Sequence, residues 1–305
     1  QAAATPQTIP VGTLVGSEAR KSDNLLSYKV GANYKPTEDG SVYLSYATSQ
    51  LPPGGTNFSL STAATNQNNP MLDPQKGSNL ELGTKWNLLD QKLFATAALF
   101  KSVNKNELVR DDVNTYVPVG EKTVKGLELG LVGMPLEHLE ISAGLALLDP
   151  KITRGARYAT SPTDGAVIQW TPKTTFTLWA NYKLENLSFG GGFSYNNTEL
   201  KDDTLTVAPC GSGLCTVLDP TTTDGLALIN GNPFPQAPKT ILTLNSRYAY
   251  PVDSGEIYVF ADYQLQGKTN LFLYESAEFR SNNNHEAGLR VAYVNDQHNY
   301  EVGVF

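Results

Sequence analysis

Nowhere in this chain do ~18 consecutive apolar residues occur, the run a membrane-crossing helix requires. Methionine appears twice, cysteine twice and histidine three times, and lysine and arginine never cluster. The first absence leaves no membrane-crossing helix in these residues. It says nothing against crossing by strands, which show lipid only every second side chain, so a mean hydropathy of −0.29 is compatible with a membrane barrel. The missing basic face, with a net charge of −7 and a pI near 5.1, argues against nucleic acid, whose phosphates need one. The cysteines stand together as Cys210-Gly-Ser-Gly-Leu-Cys215. In an oxidising compartment this reads as a small disulfide staple. A zinc half-site is the rival reading, but no histidine or further cysteine lies nearby to complete it. Gln1-Ala-Ala-Ala-Thr-Pro lacks the charged start and apolar core of a signal peptide, so either a leader has been removed or the chain begins within a longer protein.

What is present is alternation. In Asn79–Leu88, Leu80, Leu82, Trp86 and Leu88 share one face, while Asn79, Glu81, Lys85 and Asn87 share the other. Leu127, Leu129 and Leu131 oppose Gly126, Glu128 and Gly130; Leu139, Ile141, Ala143, Leu145 and Leu147 oppose Glu140, Ser142, Gly144 and Ala146. Phe176, Leu178, Ala180 and Tyr182 likewise oppose Thr175, Thr177, Asn181 and Lys183. This is period two, the signature of strands and not of helices. About twelve strands are expected, near 24–35, 41–49, 78–88, 92–103, 123–134, 139–148, 173–184, 187–197, 238–250, 256–266, 284–294 and 298–305. Most match the roughly 9–11 residues a tilted strand needs to cross a bilayer, against a soluble mode of about five or six.

The connections sort by length. Pro36–Gly40, Leu89–Gln91, Pro135–His138, Glu185–Asn186, Pro251–Gly255 and Asn295–Gln297 are short. Leu51–Gly77, Asn104–Lys122, Asp149–Pro172, Thr198–Ala237 and Gly267–Asn283 are long and polar. Tight turns at one end and long loops at the other characterise outer-membrane barrels. Tyr34, Trp86, Tyr182, Tyr248 and Tyr293 fall just before short turns and on the apolar parity, as an interfacial girdle would. Tyr28, Tyr46, Tyr195 and Tyr263 suggest a second ring toward the long loops. The fold expected is all-β: an antiparallel transmembrane β-barrel meander.

Several blocks then resemble the mid-barrel hairpins of TonB-dependent siderophore receptors. They are Ser27-Tyr-Lys-Val-Gly-Ala-Asn-Tyr-Lys-Pro with Val42-Tyr-Leu-Ser-Tyr-Ala-Thr-Ser, then Leu72-Asp-Pro-Gln-Lys-Gly-Ser-Asn-Leu-Glu-Leu-Gly-Thr-Lys-Trp-Asn-Leu-Leu-Asp. After these come Ala97–Phe100 and Val119-Gly-Glu-Lys-Thr-Val-Lys-Gly-Leu-Glu-Leu-Gly, in the family's order. The likeness is to the catecholate-type ferric-siderophore receptors over about 24–195 and to such receptors generally over 238–305; the cysteine loop between matches neither. The resemblance implies a 22-strand barrel in the bacterial outer membrane, closed by an N-terminal plug that engages the TonB complex and importing ferric siderophores with that energy. No plug or TonB-engaging segment is recognisable here. Residues 1–23 are therefore expected to be a loop or linker remnant, and 24–305 about twelve strands from the C-terminal part of the larger barrel.

Chemistry of other kinds has weak support. His285, with Ser276 and Ser281 near it in sequence, is the one hint of a barrel hydrolase. Asp111-Asp112 and Asp202-Asp203 are acidic pairs read as solvated loop charge. No cofactor and no resident metal are expected. Inward parity places Glu81, Lys85, Glu128, Glu140, Lys183, Arg247, Arg290 and Glu301 toward a wet lumen or a plug. Ligand capture is expected in the long loops, where Arg110, Tyr116, Arg154, Arg157, Tyr158, Trp170, Phe272, Tyr274 and Arg280 offer cationic and aromatic contacts to an anionic aryl chelate. The leading reading is thus a receptor and transporter, not an enzyme, with ferric siderophore, outer-membrane lipid and TonB as partners. The alternatives are a self-contained outer-membrane barrel, acting as a diffusion pore or lipid hydrolase, and a soluble all-β adhesin or lectin.

Overall fold

Side chains that alternate along every strand need two different surroundings, and a single curved sheet supplies both. The structure, a computed structural model, describes residues 21–53, 61, 63–110, 116–155, 157–158, 161–162, 164–168, 171–201, 203–211, 213–297 and 300–305. Twelve strands form one antiparallel sheet in chain order: β1 (Lys29–Thr37), β2 (Gly40–Leu51), β3 (Gln75–Leu88), β4 (Leu93–Arg110), β5 (Tyr116–Leu136), β6 (Leu139–Arg154), β7 (Thr174–Lys183), β8 (Leu187–Asn197), β9 (Thr240–Val252), β10 (Gly255–Gln266), β11 (Asn284–Asn295) and β12 (Glu301–Val304). Among the described residues there is no helix. β1 pairs only with β2 and β12 only with β11, so the sheet has two edges and does not close.

Register carries the apolar parity from strand to strand through the middle of the sheet, its irregularities in β1, β4, β5 and β6 falling toward strand ends. Ala32, Leu44, Leu82, Leu99, Leu127 and Leu147 are successive cross-strand partners. Leu145, Phe176 and Tyr195 continue that face, as do Leu244, Tyr263 and Ala287 further along. A one-residue shift at any ladder would throw polar residues onto this face, which is why the pattern fixes register so firmly. Among the described residues no second layer covers this face: Leu82 is 50% exposed, Leu99 57%, Leu129 41% and Tyr182 41%. In water so large an apolar surface would aggregate; against hydrocarbon it is at home.

The aromatic border appears where parity put it. Tyr34, Tyr182 and Tyr248 stand exposed beside the short turns. Trp86 lies across Gly40, where an added Cβ would come within 2.2 Å of the indole, so only glycine fits there. Its Nε1 donates to Thr84 Oγ1 at 2.6 Å. Toward the long loops, Tyr28 and Tyr46 sit 6.1 Å apart, and Tyr263 Oη lies 2.7 Å from His285 Nδ1.

The opposite face is polar and internally connected. Tyr43 donates to Glu81 at 2.5 Å, and Lys85 lies over the Tyr43 ring. Near the short turns, Arg247 pairs with Glu256 and stacks over Tyr258, whose hydroxyl donates to Glu301; Arg290 pairs with Glu301 as well. Within this network Tyr258 is buried together with Ala249 and Ala292.

Two expectations about loops change. The stretch 104–122 is largely strand, because β4 runs to Arg110 and β5 starts at Tyr116. β6 likewise continues to Arg154. These strands of 18, 21 and 16 residues exceed a bilayer crossing and are held beyond it by polar pairs, Lys122 with Glu107 at 3.1 Å and Lys105 with Glu121 at 3.9 Å. The β8–β9 connection is no loose loop either. It packs with the β10–β11 connection around Leu200, Ala227, Ile229, Phe234 and Tyr274, all buried.

Candidate functional site

The loop layer is built from the chain's least regular segments, so each backbone group needs an individual partner. Thr206–Val207 pairs with Ala227–Leu228, and Val217 bridges to Ser276. The Asp219 carboxylate accepts from Asn232 Nδ2 and from the Glu275 N–H at 2.7 Å. Glu278 accepts the N–H and the hydroxyl of Thr216, each at 2.8 Å. Those bonds, the backbone one first, hold its carboxyl below the usual range. The Cys210 and Cys215 sulfurs are bonded to each other, and the Cys210 N–H donates to Tyr274 Oη at 3.1 Å. A folded cap thus stands over the β8–β11 rim.

Between cap and rim lies a cavity of about 550 Å³. β8 contributes Asn196 and Asn197, the segment before β9 contributes Lys239, and the one after β10 contributes Lys268, Thr269 and Asn270. Arg280 reaches it from the cap, where Asn270 and Arg280 form a backbone bridge. Its two carboxylates are already engaged. Glu199 accepts from Lys173, which holds its carboxyl below the ordinary value. Glu275 accepts from Asn270 Nδ2 at 3.0 Å. Lys239 lies 5.7 Å from the Tyr195 ring centroid. Among the described residues Lys239, Lys268 and Arg280 have no carboxylate in ion-pair range. The chemical meaning is an open basket with surplus positive charge, suited to an oxygen-rich anion.

Of the candidates named from sequence, Arg280 lines this cavity. Tyr274 is corrected: it is 7% exposed, inside the cap's core, with its ring stacked on Phe272 at 5.4 Å. Phe272 remains half open. Tyr116 and Arg154 belong to the β4–β6 extensions, with Arg154 exposed. Trp170, and the side chains of Arg110, Arg157 and Tyr158, lie outside the described residues, as do Asp111, Asp112 and Asp202. Lys239, Lys268 and Asn270 were missed. The only available signal was lysine immediately flanking a strand end, which is common in any loop. The suggested Ser–His pairing does not assemble. Ser276 Oγ accepts from the Phe279 N–H, Ser281 Oγ from the Thr269 N–H, and His285 is tied to Tyr263 on the apolar face.

Residues 4–209, well over half the chain, match the family described as "TonB dependent receptor-like, beta-barrel". This chain belongs to that family. It is accordingly a protein of the bacterial outer membrane, consistent with the belt described above. Among similar proteins, the "Catecholate siderophore receptor Fiu" of Escherichia coli K12 is 37% identical over 196 residues, covering 62% of this chain and 26% of that protein. The "Probable TonB-dependent siderophore receptor PiuA" of Acinetobacter baumannii is 38% identical over 188 residues, covering 59% and 25%. The chain thus spans about a quarter of the length of these curated relatives. In structure, the closed form of the E. coli "Ferric-Catecholate import receptor Fiu" superposes with a TM-score of 0.60 at 25% identity, covering 97% of this chain and 38% of that one. PiuA from A. baumannii gives 0.58 at 27%, covering 91% and 36%.

Proposed function

We propose that this chain is part of a receptor that captures ferric siderophores at its long-loop end and imports them with TonB-coupled energy. In this reading residues 24–305 are one section of a larger barrel wall, residues 1–23 lead into it, and further strands complete the ring at the β1 and β12 edges. A plug domain elsewhere in the receptor would engage the TonB complex. The role is transport, not catalysis. The observation that carries the reading is the rim cavity, with Lys239, Lys268 and Arg280 set over a lipid-facing wall. The relatives Fiu and PiuA are named as siderophore receptors, and Fiu as a ferric-catecholate importer. A ferric catecholate is a compact anion, so unneutralised guanidinium and ammonium groups suit it.

In the receptor carrying this segment, the double variant Lys268→Glu/Arg280→Glu is expected to weaken binding of a ferric tris-catecholate complex by roughly tenfold or more. Quenching of intrinsic fluorescence reads this out. Lys92→Glu, beside a short turn, leaves binding unchanged. Equal affinity in wild type and double variant would remove the cavity from the capture route.

A further inference from the structure

On the outward face, one cross-strand row breaks the apolar belt. Tyr46, Leu80, Lys101, Lys125 and Asp149 are successive partners across β2 to β6. The row one pleat nearer the short turns is Leu44, Leu82, Leu99, Leu127 and Leu147, wholly aliphatic. The lysines therefore stand where the belt ends, on the long-loop side and on the face that meets lipid. Both are exposed. Among the described residues neither has a carboxylate in ion-pair range; Asp149, opposite Lys125, is taken by Lys151 at 3.0 Å. Two pleats higher, Lys105 does find a carboxylate, Glu121 at 3.9 Å. With Lys151, the group is three ammonium ions against one carboxylate. Like charges directly opposite each other destabilise a ladder, and anionic headgroups attract ammonium groups at a membrane border.

We propose that Lys101 and Lys125 form a binding site for a phosphorylated lipid headgroup of the leaflet on the long-loop side. The phosphate lies between the two ammonium groups, and an acyl chain descends over Leu99, Leu127 and Leu147. Free phosphate shares the charge chemistry but has nothing to place on the leucines, so the lipid is the occupant the whole surface fits. The site is separate from the rim cavity and does not depend on what that cavity binds.

Native mass spectrometry of the receptor, delipidated and then exchanged into micelles doped with lipid A, tests this. Wild type should retain diphosphoryl lipid A at least about tenfold better than its dephosphorylated form, and Lys101→Gln/Lys125→Gln should abolish the preference. Lys92→Gln should preserve it. Heat-modifiable gel mobility confirms that each variant is folded; if the double variant fails to fold, Lys125→Gln alone should still reduce the preference. Equal retention of both lipids by wild type, an unaltered preference in the folded variants, or displacement of the lipid by millimolar inorganic phosphate would each overturn the proposal.

Discussion

Arginine in place of Leu82 is expected to cost about 2–4 kcal/mol of barrel stability in a bilayer, the penalty for a cation near the hydrocarbon midplane. Leu82 sits mid-strand in β3, half exposed, with Leu44 and Leu99 on either side and no second layer of protein above it. Among the described residues its ladder partners Leu44 and Leu99 offer a guanidinium no carboxylate, and hydrocarbon at that depth supplies no water to replace one. The control is one residue of parity away. Ser45 faces the opposite side, opposite Glu81 in the ladder, so Ser45→Arg should change stability by no more than about 1 kcal/mol. Urea unfolding of the receptor in phosphatidylcholine vesicles, followed by tryptophan emission, separates the two. Equal penalties would mean that the two faces do not meet different solvents.

Truncating Ile229 to alanine should cost about 2–5 kcal/mol, but locally. Ile229 is fully buried, in contact with the cluster that holds Leu200, Phe234 and Tyr274. Because the cap has its own core, the loss falls on the cap's opening equilibrium and not on the sheet. Amide hydrogen exchange should accelerate throughout 198–239 and 267–283 while β8, β9 and β10 keep their protection. Acceleration spread equally into those strands would show that the cap and the wall unfold as one unit.

The wall was legible because lipid imposes a rule on every second residue. Leu80, Leu82, Leu127 and Leu129 obey it, and that alternation, with the sorting of short and long connections, makes the twelve strands and six tight turns readable. The rule stops where the membrane stops. Beyond it Asn104, Lys105, Glu107, Glu121 and Lys122 are polar on both faces, so the same β4–β5 ladder continued without a signal and read as loop. The cap hid differently. Leu200, Ile229, Phe234 and Tyr274 converge from two connections through irregular backbone, so no period links them. Tyr274 looked like a ligand contact for the same reason, being an aromatic in a polar loop. The rim cavity shares that obscurity, since Lys239 and Lys268 meet where the β9–β10 ladder runs out and Arg280 is brought to them by the cap. Arg280 was picked out for its charge, and Lys239 and Lys268 were overlooked because lysine beside a strand end is unremarkable.

The central claim is that one face of this sheet meets hydrocarbon and the other meets water or protein. Single spin labels at residues 79 to 84 of β3, in the receptor reconstituted into bilayers, test it most directly. Collision with oxygen should be high at 80, 82 and 84 and low at 79, 81 and 83, and collision with a water-soluble nickel chelate should stay low at the first three positions. Oxygen accessibility without a two-residue period, or ready nickel access at Leu80 and Leu82, would contradict it.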